Sequence, residues 1–168
     1  AAPTWHQLLV PAGIDEAALR QLARRRRYAR GEIVIHEGDP AGSLHLVDRG
    51  RLAVRVSTPL GDVAVVDVLR AGDCFGEQAL IEPGADRSAT VAAIEKAETL
   101  SIDLATCETL RQATAGFDRF LLAVVNARLR STTQQLLEAL YVPADVRVFR
   151  CLCRLVELFA GDVVPLTQ

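Results

Sequence analysis

From Tyr28 to Ile102 the chain is divided by glycines into strand-like runs, each too short to form a core by itself. Ile33-Val34-Ile35 precedes Glu37-Gly38-Asp39-Pro40, and Leu44-His45-Leu46-Val47 precedes Asp48-Arg49-Gly50. Leu52–Val56 and Val63–Leu69 flank Pro59-Leu60-Gly61-Asp62, which reads as a hairpin turn, and Thr90–Ile94 and Thr99–Leu104 complete the series. Runs of this kind have to pair across sheets. Their even spacing predicts a double-sheet β-roll rather than alternating strand–helix units. Within the second run His45 alternates with Leu44 and Leu46, which predicts an outward-facing histidine.

Outside that span the apolar period becomes helical. Asp15–Leu22 predicts a short helix with a carboxylate in its first turn. Arg24–Arg27 follows at an element junction and reads as a solvated surface whose stems cover apolar neighbours. Thr106–Ala113 predicts another short helix, Gly116 a break, and Phe117–Leu140 a long helix. Along it Leu122, Val125, Leu129, Thr132, Leu136 and Ala139 keep the spacing of a coiled-coil seam. A second line runs through Leu121, Val124, Leu137 and Leu140. Two lines exceed what one small barrel covers, so the pattern predicts a parallel homodimer through the first and packing on the chain's own barrel through the second. Packing wholly within one chain is the alternative. Pro143 stops the helix, and Asp145–Phe159 begins a third with Val148, Leu152, Leu155, Val156 and Phe159 as its apolar face. Gly161 ends it, and the closing Pro165–Gln168 suggests a further domain, truncated here. The organisation expected is a mainly β fold with α: a β-roll with flanking short helices over 1–116, a long dimerisation helix over 117–141, and the start of another domain over 142–168.

With 168 residues and a formal charge of −2, the chain has room for one ordinary core and no general pull toward nucleic acid or anionic lipid. It carries no stretch of transmembrane length and no signal-peptide pattern, so a cytoplasmic protein without a membrane partner is expected. Cys74, Cys107, Cys151 and Cys153 have no secretory context, and Cys151-x-Cys153 is too tight for a redox or zinc pair. Buried free thiols are expected. His6, His36 and His45 form no His-x-His set and no crowded carboxylate–histidine cluster, so neither a metal site nor an enzyme is expected.

The chemistry gathers between Gly72 and Val91. Gly76-Glu77-Gln78-Ala79 reads as the first turn of a short helix, with Gly76 permitting close approach. Arg87 offers a guanidinium able to form two parallel hydrogen bonds to a phosphate, and Ser88 one more. Glu77 offers an acceptor for a sugar hydroxyl. Together they suit a cyclic 3′,5′-nucleotide, which presents one anionic phosphate, one free 2′-hydroxyl and a planar base. A structural Glu77–Arg87 pair fits the same spacing.

The chain resembles the CRP/FNR family of bacterial transcription regulators, its cyclic-AMP-responsive members in particular. Gly31-Glu32-Ile33-Val34, Glu37-Gly38-Asp39 and Gly50-Arg51-Leu52 match the family's glycine framework. Gly72-Asp73-Cys74-Phe75-Gly76-Glu77 and Asp86-Arg87-Ser88-Ala89 match its phosphate-binding cassette, spacing included. The resemblance implies that Glu77 takes the ribose 2′-hydroxyl, that Arg87 and Ser88 take the cyclic phosphate, and that the Gly76, Gln78 and Ala89 backbone lines the site. It implies that Thr132 and Thr133 read the adenine from the dimer helix; without a ligand they only weaken the seam. Asp145-Val146-Arg147 and the following helix match the hinge and first helix of a winged helix-turn-helix domain, and Leu166-Thr167-Gln168 its continuation. DNA and RNA polymerase are therefore implied as partners of a longer protein only. Gln78 departs from the family, which carries an apolar residue after Gly-Glu. Cyclic GMP, another small effector, or a ligand-free dimerisation module remain open beside cyclic AMP.

Overall fold

Two four-stranded antiparallel sheets carry the short strands, in the orders β1-β8-β3-β6 and β2-β7-β4-β5. The strands are β1 (Arg24–Tyr28), β2 (Ile33–Ile35), β3 (Ser43–Arg49), β4 (Arg51–Ser57), β5 (Val63–Arg70), β6 (Cys74–Phe75), β7 (Thr90–Ala93) and β8 (Ala97–Asp103). The helices are α1 (Trp5–Ala12), α2 (Glu16–Leu22), α3 (Gln78–Ile81), α4 (Leu104–Ala113), α5 (Gly116–Tyr141) and α6 (Ala144–Phe159). This computed structural model describes residues 3–82 and 84–159, which divide into two compact units between Asn126 and Ala127. The β-roll expected from the glycine-cut runs is borne out.

In the first unit the two sheets face each other across Val47, Leu52, Val54, Leu69, Phe75, Val91 and Ala93. The opposite face of the first sheet, through Leu44, Leu46, Leu100 and Ile102, packs on helices through Trp5, Leu9, Leu19, Phe117, Phe120, Leu121 and Val124. Each fully buried side chain of this size contributes about 1.5–3 kcal/mol. The first sheet is thus covered on both sides, which corrects the expectation for His45. It shares the inner face with Val47 and is only 4 % exposed, because the roll's second sheet lies where water was expected.

The arginine run is exposed, as expected, and it also forms a strand. Arg24–Tyr28 is the edge strand β1, registered against β8 from Arg24↔Ser101 to Tyr28↔Ala97. Arg25 and Arg27 ion-pair with Glu98 at 3.4 and 3.1 Å. A row of charged side chains on an edge strand discourages pairing with another chain. Helix α1 has no counterpart in the sequence reading; Thr4 caps it in a capping box with Gln7, and the Trp5 indole N–H donates to the Val47 carbonyl at 3.0 Å. Gly116 begins α5 rather than separating two helices, at a point where a β-carbon would collide with the Ala12 carbonyl.

In the second unit, Arg150 and Arg154 of α6 ion-pair with Glu138 of α5 at 3.6 and 2.7 Å. The apolar face expected for α6 is largely in solvent, with Val148, Leu152 and Val156 exposed. Cys74 and Cys107 are buried, as expected, and burial pushes the Cys107 thiol up to about 12. Cys151 and Cys153, two residues apart on α6, are exposed instead. The readings on Gly161 and on Pro165–Gln168 lie outside the described residues.

Candidate functional site

The site is built by the chain leaving β6 and returning through the segment before β7. Gly76 follows Phe75 with φ +84°, and Glu77 then stands at the N-cap of α3 without its side chain capping the helix. The returning segment is pinned to the Gly38–Ala41 turn: the Arg87 N–H donates to the Asp39 carbonyl at 2.8 Å, and the Gly38 N–H to the Arg87 carbonyl at 2.9 Å. The Ala41 N–H adds a bond to the Ala85 carbonyl at 3.1 Å. This short ladder fixes the backbone from which Arg87 projects.

The Arg87 guanidinium is turned inward. Nη2 donates to the Ser43 carbonyl at 2.9 Å and to Ser43 Oγ at 3.0 Å. Gly76 lies directly beside it, since a β-carbon there would sit 2.6 Å from the Ser43 carbonyl oxygen and 2.7 Å from Arg87 Nη1. Arg87 is 7 % exposed and Glu77 6 %. Burial lowers the arginine's pKa from its ordinary value, and the Glu77 charge opposes that shift. Ser88 and Gln78 are exposed, and Ser88 Oγ donates to Gln78 Oε1 at 2.7 Å. Ala89 is partly buried against the roll's interior.

The structure therefore brings Gly76, Glu77, Gln78, Arg87, Ser88 and Ala89 into one corner of the first unit. Thr132 and Thr133 lie on α5 within the second unit, exposed. Leu122, Leu129 and Leu136 are 70 %, 63 % and 57 % exposed, and Val125 is half-buried. Of the second apolar line, Leu121 and Val124 are buried in the first unit's core, whereas Leu137 and Leu140 are exposed. Sequence reasoning missed Ser43, whose carbonyl and hydroxyl hold Arg87. Alternation places Ser43 on the same face of β3 as His45, but nothing local in the sequence pairs that face with Arg87. Among the described residues, no group of three or more His, Cys, Asp or Glu is placed to hold a metal, and no helix is long and apolar enough to cross a membrane.

A cyclic nucleotide-binding domain matches residues 25–114, a span that contains both halves of this corner. The chain belongs to that family. Its CRP/FNR kinship, read from the two cassette halves, is borne out by the relatives of this cyclic nucleotide-binding domain. It is 24 % identical over 150 residues to the CRP-like cAMP-activated global transcriptional regulator of Mycobacterium tuberculosis, covering 88 % of this chain and 66 % of that protein. The N-terminal domain of a transcriptional regulator from Streptomyces coelicolor shares 28 % identity and a TM-score of 0.63, covering 78 % of this chain and 94 % of that one. The c-di-GMP responsive global regulator CLP of Xanthomonas campestris shares the fold at 23 % identity and a TM-score of 0.74, covering 89 % of this chain and 77 % of that one. The chain thus spans just under two thirds of the mycobacterial regulator's length.

Proposed function

We propose that the chain is the cyclic-nucleotide-sensing part of a CRP/FNR-type transcription regulator, binding cyclic AMP without turning it over. Arg87 and Ser88 take the cyclic phosphate, Glu77 takes the ribose 2′-hydroxyl, and the Gly76, Gln78 and Ala89 backbone lines the site. One observation carries this reading: a guanidinium and a carboxylate, 7 % and 6 % exposed, are buried in one corner, with Arg87 Nη1 lying where a β-carbon on Gly76 would collide with it. A buried guanidinium costs several kcal/mol to desolvate, and an anion bound to it offsets that cost. Arg87 keeps Nε and Nη1 for such an anion while Nη2 holds Ser43.

The homodimer belongs to the same proposal. Leu122, Leu129 and Leu136 present an exposed apolar row on α5 that a second copy covers, and Thr132 and Thr133 interrupt it with hydroxyls able to meet the adenine. The functional division runs 1–116 for sensing, 117–141 for dimerisation and 142–168 for the start of the DNA-binding domain. DNA and RNA polymerase are partners of the longer cytoplasmic protein.

Calorimetric titration with cyclic AMP, cyclic GMP, cyclic di-GMP and non-cyclic AMP tests the assignment. Binding of cyclic AMP, lost in Arg87→Leu and weakened about 10- to 100-fold in Arg87→Lys, is the expected result, since a charge-assisted pair is worth about 1.5–3 kcal/mol. Silence toward all four supports a ligand-free dimerisation module, and preference for cyclic di-GMP a different effector.

A further inference from the structure

Ser43, His45 and Thr99 stand on the inner face of the first sheet and make none of the ligand contacts proposed above. They form a line that starts at Arg87. Arg87 Nη2 donates to Ser43 Oγ at 3.0 Å, Ser43 Oγ lies 2.9 Å from His45 Nε2, and His45 Nδ1 lies 3.3 Å from Thr99 Oγ1. A guanidinium only donates, so Ser43 Oγ accepts from it and has a single proton of its own to give. The acceptor within reach is Nε2 of a neutral imidazole. Nδ1 then carries the ring proton and donates to Thr99, and one tautomer satisfies the whole line. The ring cannot turn away: it stacks on Phe75 with centroids 4.8 Å and planes 7° apart, and it is 4 % exposed.

The charges acting on this imidazole are both positive, Arg87 from the loop before β7 and Arg26 from the edge strand β1. The other elements against it supply Ser43 on β3, Phe75 on β6 and Thr99 on β8. Glu77, the acid of this corner, acts on Arg87. An imidazolium would have to donate to Ser43, leaving that hydroxyl to accept from two cations at once. Burial first, then the Arg87 and Arg26 charges, accordingly lower His45 to about 4.

We propose that His45 is a positioning residue for Arg87, acting through the Ser43 hydroxyl, and that an anion bound to Arg87 is registered at the imidazole as proton uptake. The proposal rests on the assignment of Arg87 as a phosphate clamp. An anion there offsets the largest charge facing the ring, so the bound state holds the His45 proton to a higher pH than the free state. By linkage, affinity rises as pH falls through the window above pH 4.

The test is calorimetry of the full chain with cyclic AMP at pH 7.5 and pH 5, in buffers of different ionisation enthalpy. Uptake of a fraction of a proton at pH 5 and almost none at pH 7.5 is the expected result. His45→Gln keeps an acceptor for Ser43 but cannot take the proton, so it binds at pH 7.5 and loses the uptake at pH 5. His45→Phe keeps the ring on Phe75 but offers Ser43 no acceptor, and it binds about 3- to 10-fold more weakly at pH 7.5. Undiminished uptake in His45→Gln, or wild-type affinity in a folded His45→Phe, overturns the proposal while leaving the phosphate clamp standing. Wild-type protein that binds no cyclic nucleotide at pH 7.5 overturns both.

Discussion

Gly76 is the residue on which the two buried charges depend, for reasons of space as well as torsion. Its φ of +84° disfavours any side chain, and a β-carbon would lie within 2.7 Å of both the Ser43 carbonyl and Arg87 Nη1. Gly61 has the same sign of φ, at +90°, but nothing within 4 Å of where its β-carbon would be. Gly61→Ala should therefore cost only backbone strain, about 1–2 kcal/mol, and leave nucleotide affinity unchanged. Gly76→Ala should cost more in urea unfolding and also displace Arg87, lowering affinity at least about tenfold in titration. Gln78 makes the opposite case. Ser88 must give up its 2.7 Å bond to Gln78 Oε1 before it donates to a phosphate, and an exposed neutral bond is worth about 0.5–1.5 kcal/mol. Gln78→Leu, which frees the hydroxyl, should tighten cyclic AMP binding about 2- to 10-fold; weaker binding would mean that Gln78 itself meets the ligand.

At the scale of elements, α5 buries one part of its surface and exposes another. Phe117, Phe120, Leu121 and Val124 are in the first unit's core, so Phe117→Ala should destabilise that unit by about 3–5 kcal/mol in urea unfolding. Leu129 and Leu136 carry no such burden, at 63 % and 57 % exposed. Leu129→Asp combined with Leu136→Asp should give a monomer by sedimentation while the roll's own melting changes little. The contrast also marks what the sequence could reveal. Strands β2 to β5, β7 and β8 were legible as short runs of branched apolar residues between turns, whereas the two-residue β6 was too short to show a pattern. Strand β1 was not, because four successive arginines show no alternation of polarity, although its pairing with β8 puts Arg25 and Arg27 on one face. Alternation around His45 told which residues share a face but not whether that face meets water. In the site, Gly76, Glu77, Arg87 and Ser88 were legible as two halves of one cassette. Ser43 was not: it reaches Arg87 from 44 residues upstream, through a sheet register that no local pattern announces.

For the whole molecule, the enclosed polar line inside the roll ties folding to pH. His45 titrates at about 4 in the folded chain against 6.5 for an ordinary histidine, with burial as the largest cause. Between those values the unfolded chain binds a proton that the native one refuses, so stability falls as pH is lowered from about 6.5 to about 4. Above that window both states hold the ring neutral and the effect vanishes. A displacement of this size corresponds to about 3 kcal/mol at the acid end, a large share of the 5–15 kcal/mol typical of a domain. The carboxylates held low by partners, Glu16 beside Arg20 and Asp103 under the Thr106 N–H, lose their contributions below their ordinary values of 4.5 and 3.8, so they leave the upper part of the window to His45. Urea unfolding at pH 7.5, 6.0 and 5.0 should thus show a progressive loss in the wild type and a much flatter profile in His45→Gln. Cyclic AMP at saturation should oppose the loss, because the anion on Arg87 lets the native state take up the same proton. An equal slope in the variant would place the acid-sensitive group elsewhere and leave the interior of the roll indifferent to pH.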